Sequence, residues 1–245
     1  SEGSSRPVPF GVPILGGNTV GMVGGGFYDI NSDQEPINDR DGQLINLTID
    51  YAFNDRWSLK SITSSQSMDR FLRDDLDSTD ANLFGQNNYT EESDSFGQEL
   101  ILNYSSDRID VLGGVMYFEE DLYGEVRVPL TNLCFLLAPA ACGTPVGDFL
   151  NGGNYLQDGD VDIEAWGAYV EANYSISDKW SVIAGLRYNY EERDGTGSFI
   201  FDAISLNVPT NQRESWNDLT PRITLQYSPN DNMLLYATYT EAFKS

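Results

Sequence analysis

The 245 residues carry 38 Asp and Glu against 14 Lys and Arg, a formal charge of −24 at pH 7, and no histidine. A chain this acidic is not a nucleic-acid binder, because phosphate neutralisation needs clustered Lys and Arg. The missing histidine removes Ser-His-Asp and Cys-His catalysis and His-ligated zinc or haem, so no cofactor is expected.

Residues 1–42 read as a loop region: Gly and Pro are dense from Pro7 to Gly26, and an acidic stretch runs from Asp29 to Asp41. Ser1 to Arg6 is polar and no apolar core follows it, so no signal peptide is expected there. Without an initiator Met the chain reads as a piece of something longer. From Gln43 onward the period becomes two. Ile45, Leu47, Ile49, Tyr51 and Phe53 alternate with Asn46, Thr48, Asp50 and Ala52, and the same pattern returns from Trp166, Trp180 and Leu219. Such alternation marks strands with one apolar face. About eight strands are expected, near 43–53, 56–72, 94–104, 108–127, 160–175, 179–193, 215–228 and 232–244. Pro221 counts against a central position for its strand unless a bulge or strand end accommodates it.

Four tight polar turns join the strands in pairs: Asn54-Asp55-Arg56, Ser105-Ser106-Asp107, Ser177-Asp178-Lys179 and Pro229-Asn230-Asp231. Aromatic residues stand beside them: Phe53, Trp57, Tyr104, Tyr174, Trp180 and Tyr227. At the other end the connections 73–93, 128–159 and 194–214 are long, and loops of that length are usually functional. Short turns at one end, long loops at the other and aromatics at the interface are the pattern of a transmembrane β-barrel. No apolar run approaches the ~20 residues of a spanning helix, so a spanning chain of this composition must use strands.

Charge assigns the faces. Glu171, Arg187 and Arg222 all fall on the polar alternate of their strands, away from the Trp, Leu, Val and Ile set. A lipid-facing outside and a wet or plugged inside follow, because Arg or Lys in hydrocarbon costs ~2–4 kcal/mol at the midplane. These three residues are expected to face the lumen or a plug within it; a cross-strand charge ladder is the plainer alternative. A β-sandwich with one solvated face would alternate equally well, but its strands are usually nearer ~5–6 residues.

Cys134 and Cys142 are the two cysteines. A loop-stapling disulfide is expected in an exported chain, the alternative being two free thiols in a cytosolic fold. An acidic, aromatic segment, with Phe71, Asp74, Asp75, Asp77, Asp80 and Tyr89, is the expected extracellular ligand-contact loop; solvated loop charges are the plainer reading.

Six stretches resemble strands of TonB-dependent outer-membrane receptors of the siderophore type. They are Trp57-Ser-Leu-Lys-Ser-Ile-Thr63; Phe96-Gly-Gln-Glu-Leu-Ile-Leu-Asn103 with Val111-Leu-Gly-Gly-Val-Met-Tyr-Phe-Glu119; Trp180-Ser-Val-Ile-Ala-Gly-Leu-Arg-Tyr188; Leu219-Thr-Pro-Arg-Ile-Thr-Leu-Gln-Tyr227; and Leu235-Tyr-Ala-Thr-Tyr-Thr-Glu-Ala-Phe-Lys-Ser245. The resemblance covers about 43–245. It implies an antiparallel up-and-down barrel of 22 strands in the Gram-negative outer membrane, a plug inside it, and uptake energised by the TonB complex. The implied cargo is an iron chelate; cobalamin, haem and glycans are the other cargoes of the family. The implied surroundings are outer-membrane lipid and lipopolysaccharide, to which divalent ions would bridge an acidic surface. This sequence contains no plug, no TonB box and none of the family's terminal strands. It is therefore expected to be an internal barrel fragment, an open curved sheet by itself.

Two other functions fit the same hairpins, a passive porin-type channel and a secreted, soluble adhesin-like β-domain. An enzyme is not expected. The neighbouring acids Asp74-Asp75 and Glu119-Glu120-Asp121 point to alternate faces of a strand and make poor acid/base pairs.

Overall fold

The computed structural model describes residues 12–13, 19–20, 32, 34–75, 86–130, 134 and 139–242. Two short strands, β1 (Val12–Pro13) and β2 (Thr19–Val20), pair with each other. The rest is one eight-stranded antiparallel sheet of β3 (Ile37–Ala52), β4 (Trp57–Asp75), β5 (Gln86–Ser105), β6 (Ile109–Leu130), β7 (Gly153–Ser177), β8 (Trp180–Phe201), β9 (Leu206–Asn230) and β10 (Met233–Thr240). Every strand pairs with its sequence neighbours, and β3 and β10 are the open edges. This is an up-and-down sheet that does not close.

Among the described residues the sheet has no second layer. Among the described residues, Val128, Leu130, Cys134 and Ala203 are the buried apolar ones, and all lie at the long-loop end. Ile45, Leu47, Ile49, Leu186, Leu219 and Ile223 are instead exposed. A water-soluble sandwich would bury such a set between two sheets. No described helix is long and apolar enough to cross a membrane, a fact that leaves strand crossings open.

The turns form where the sequence places them, for local reasons. The Asn54 side-chain oxygen accepts hydrogen bonds from the backbone N–H of Arg56 (2.9 Å) and Trp57 (3.1 Å). Ser177 Oγ does the same for Lys179 and Trp180, and Asn230 for Asn232. These side chains mimic a backbone turn and fix the hairpin register.

The far end differs from expectation. β3 begins at Ile37 rather than 43, and β5, β7, β8 and β9 extend well into the segments 73–93, 128–159 and 194–214. The last of these is strand except for a turn at Asp202–Ile204, where Ser205 takes a left-handed conformation at φ 52°. These extensions carry charge on both faces, so alternation fades although the ladder continues: Asp39 pairs with Phe71, Arg40 with Arg70 and Asp41 with Asp69. A real connection remains between β6 and β7, with a short helix α1 (Pro145–Leu150) capped by Thr144.

Pro221 sits inside the ladder of β9, opposite Leu186. Its carbonyl accepts from Glu241 N at 3.1 Å. In an antiparallel strand the N and C=O of one residue point the same way. The ring nitrogen therefore faces the side where β10 ends at Thr240, and no ladder bond is lost.

Candidate functional site: a two-faced wall

Register places the alternating residues in rows across the strands. One face carries Leu102–Gly113–Val170–Leu186–Pro221 and, one step out, Leu100–Val115–Ala168–Tyr188–Leu219. At the turn end this face closes with aromatic pairs: Trp57 on Tyr104 with centroids 4.8 Å apart, and Trp180 stacked on Tyr227 at 4.3 Å. Phe53 packs edge-on to Tyr51 at 5.1 Å, and Tyr174 lies opposite Ile109 and Val182.

A second aromatic row, which sequence reading missed, closes the other end. Tyr117, Trp166 and Tyr190 occupy one register row, and Trp166 stacks on Tyr190 at 5.8 Å. Trp180 and Tyr190 stand ten positions apart on β8. That is about 33 Å along a strand, or about 25 Å in height at a barrel's usual tilt, which matches the apolar band of outer-membrane barrels.

Beyond that row the same face turns acidic. Phe96–Glu119–Glu164–Glu192 form one row and Asp94–Asp121–Asp162–Asp194 the next, with Arg213 opposite Asp194. Tyr117 donates its phenol proton to Glu119 (2.7 Å) and Tyr190 to Glu192 (2.9 Å). The readable signal was an acid two residues beyond an aromatic, in Tyr117/Glu119, Glu164/Trp166 and Tyr190/Glu192. Arg213 bridges Glu192 and Asp194. Hydrogen bonds from Tyr190 and Arg213 hold the Glu192 carboxyl below the usual carboxylate range. Asp121 is pushed up, first by loss of surrounding water and then by the Asp162 carboxylate.

The opposite face is polar and networked. Tyr169 lies opposite Gly114 on one side and Arg187 on the other. Its hydroxyl donates to Glu99 at 2.7 Å, and the Arg187 guanidinium lies 5.6 Å from its ring centroid. Arg187 also donates to Asn189 Oδ1 at 2.6 Å and points a second nitrogen at Met116 Sδ. Glu171 and Arg222 pair at 3.4 Å across Gly185, which stands between them in the row. A Cβ on Gly185 would come within 3.3 Å of Glu171 Oε2. Glu171, Arg187 and Arg222 thus share one face and line one recess of about 340 Å³. Lys60 pairs with Asp50 and Arg70 with Glu91 on the same side.

The acidic contact segment is not a loop where it is described. Phe71, Asp74 and Asp75 belong to β4 and Tyr89 to β5. Alternation divides them: Phe71 and Asp75 fall on the apolar-side face, Asp74 and Tyr89 on the networked face. Asn87 donates to Asp74 at 2.9 Å, and Arg70 lies 5.8 Å from the Tyr89 ring centroid. Asp77 and Asp80 lie outside the described residues. Cys134 and Cys142 are joined in a disulfide. Asn151 accepts from Cys134 N at 2.9 Å and ties the stapled segment to the end of α1. Among the described residues no cluster of three or more acids or cysteines is placed to hold a metal.

A family model described as TonB dependent receptor-like, beta-barrel, matches residues 3–245. The chain belongs to that family. TonB-dependent receptors are transport receptors, not enzymes, and the sheet is a fragment of their barrel. The ferric-pyoverdine M114 receptor PbuA of Pseudomonas sp. (strain M114) is 26% identical over 117 residues, covering 48% of this chain and 12% of the relative. The chain therefore spans about an eighth of that relative within the match. Among solved structures, the ferric yersiniabactin uptake receptor FyuA from Yersinia pestis superposes with a TM-score of 0.66 at 13% identity, over 83% of this chain and 28% of FyuA. The ferric-catecholate import receptor Fiu from E. coli K12, in its open form, gives 0.56 at 12% identity over 96% of this chain and 40% of Fiu. The ferric citrate transporter FecA, unliganded, gives 0.56 at 13% identity over 82% and 27%.

Proposed function

We propose that this chain is part of a Gram-negative outer-membrane receptor that takes up a ferric siderophore with energy delivered through TonB. The family match over 3–245 carries the reading. The names of its relatives support the cargo class, since PbuA, FyuA, Fiu and FecA are each described as handling a ferric chelate. The apolar face between the two aromatic rows meets the hydrocarbon. The acidic rows beyond it stand at headgroup level, facing lipopolysaccharide through divalent ions. The networked face, with Glu171, Arg187 and Arg222, faces the lumen and a plug contributed by another part of the receptor. Asp74 and Tyr89, on the networked face, belong to the outer vestibule wall that an iron chelate passes.

Open edges at β3 and β10 agree with this assignment. Unpaired backbone groups are not tolerated in hydrocarbon, so these edges pair with further strands of the receptor. A passive channel would use the same hairpins, and energy dependence separates the two. The test is accumulation of radiolabelled ferric siderophores by cells that carry the whole receptor as their only ferric receptor, with and without TonB. Uptake of at least one chelate only in the TonB-competent cells is the expected result. Equal uptake in both backgrounds would establish a channel.

A further inference from the structure

The apolar face is not smooth. A groove of about 590 Å³ crosses it, passing Gly113 and Val115, skirting Leu100 and Leu102, and ending against Trp57 and Tyr104. Its cause is one missing side chain. In the row Leu102–Gly113–Val170 the central strand β6 contributes nothing above the backbone.

Packing does not demand that glycine. A Cβ on Gly113 would meet Tyr169 O at 3.5 Å and Val170 Cγ2 at 4.0 Å, both ordinary contacts. The next residue is the opposite case. A Cβ on Gly114 would fall 2.5 Å from Tyr169 Cζ on the networked face, so Tyr169 accounts for Gly114. Gly113 has room for a side chain and lacks one, which leaves a hollow on the face proposed to meet lipid.

We propose that this groove seats one acyl chain of a phospholipid from the periplasmic-side leaflet. The inference rests on the membrane placement proposed above. Two observations select the occupant. The groove is continuous with the apolar band and lies at its turn end, beside Trp57 and Tyr104, hence in the leaflet on the side of the short turns. It is also narrow. The strands flanking β6 stand about 9–10 Å apart, and Leu102 and Val170 take part of that gap. A helix is about 10–12 Å across with its side chains and cannot enter, whereas a single hydrocarbon chain can. Trp57 and Tyr104, amphipathic at the mouth, suit the boundary between chain and headgroup.

The test uses the full-length receptor, extracted in mild detergent with phosphatidylethanolamine and examined by native mass spectrometry under rising collisional activation. The wild type is expected to hold one phosphatidylethanolamine after the others are stripped. Gly113→Leu, which fills the groove, loses that lipid. Ala184→Leu, on the same apolar face but outside the groove, keeps it. Thermal unfolding of each variant establishes that both are folded. Equal retention by wild type and Gly113→Leu would overturn the proposal, as would retention of lipopolysaccharide or of a second protein chain in place of the phospholipid. A receptor that stays soluble without detergent and ignores vesicles would remove the membrane placement itself. A receptor that inserts but shows no Gly113-dependent lipid would remove only the groove inference.

Discussion

Tyr169 occupies the space that a side chain at Gly114 would need, and from there its hydroxyl reaches Glu99 two strands away at 2.7 Å. One glycine thus permits a link between β5 and β7 across β6. Gly114→Val is expected to expel the ring and cost about 1–3 kcal/mol, the usual penalty for overpacking. Tyr169→Phe keeps the ring and removes only the hydrogen bond, at about 0.5–1.5 kcal/mol. Because both act on the same contact, the double variant should lose less than the sum of the two. Thermal or denaturant unfolding of the solubilised receptor measures all three.

Arg222 and Glu171 pair at 3.4 Å, but their side chains are 49% and 32% exposed. Solvent screening limits such a pair to about 0–1 kcal/mol. Arg222→Ala and Glu171→Ala are therefore expected to unfold almost like the wild type. If the pair contacts the plug, uptake should fall by much more than stability does. Parallel melting and uptake curves for the two variants separate these roles.

The disulfide between Cys134 and Cys142 closes a short loop. Chain-entropy reasoning gives about 2–3 kcal/mol for a loop of this length. Since the staple lies in the long connection away from the short turns, its loss should loosen the β6–β7 connection rather than the barrel. Cys134→Ser with Cys142→Ser is expected to increase protease cleavage between β6 and β7 while leaving barrel unfolding nearly unchanged. Limited proteolysis followed by mass analysis checks this.

Asp121 stands in a row of acids, with Asp94 and Asp162 directly opposite on either side and Glu119 two positions away. Its folded-state pKa is raised, so folding favours the protonated form. The charge therefore opposes folding at pH 7, and the cost disappears as the pH falls through the raised value. Asp121→Asn should stabilise the receptor at pH 7. The gain should shrink toward zero as the pH approaches the ordinary carboxylate range, and should also shrink in high salt. Melting temperatures across pH for the two proteins test the sign.

The hairpins and their short turns were legible because two strong signals coincide there. Asn54, Ser177 and Asn230 make turn bonds with their own backbone, and the flanking strands alternate because one face is apolar. The faces of Glu171, Arg187 and Arg222 could be read from the same alternation. The outer extensions could not. Between Asp69 and Asp75, or from Gln86 to Asp94, both faces are polar, so a paired strand and a loop leave the same trace in sequence. Phe71, Asp74, Asp75 and Tyr89 therefore read as a loop in sequence although they stand on paired strands. The outer aromatic row was missed because Tyr117, Trp166 and Tyr190 become a row only once register is known. Gly113 and Gly114 look identical in sequence; only the neighbouring strand β7 distinguishes a glycine required by Tyr169 from one that leaves a groove.

One face of this wall is proposed to meet hydrocarbon and the other an aqueous lumen. The direct measurement is a series of single cysteines along β8 of the full-length receptor in vesicles, each carrying a small fluorophore and exposed to a lipid-phase and an aqueous quencher. Cys134 and Cys142 are bonded to each other and do not compete for label. Labels at Val182, Ala184, Leu186 and Tyr188 should be quenched from the lipid, and those at Ile183, Gly185, Arg187 and Asn189 from water. Quenching without a two-residue period, or with the two sets reversed, would rule out this placement of the wall.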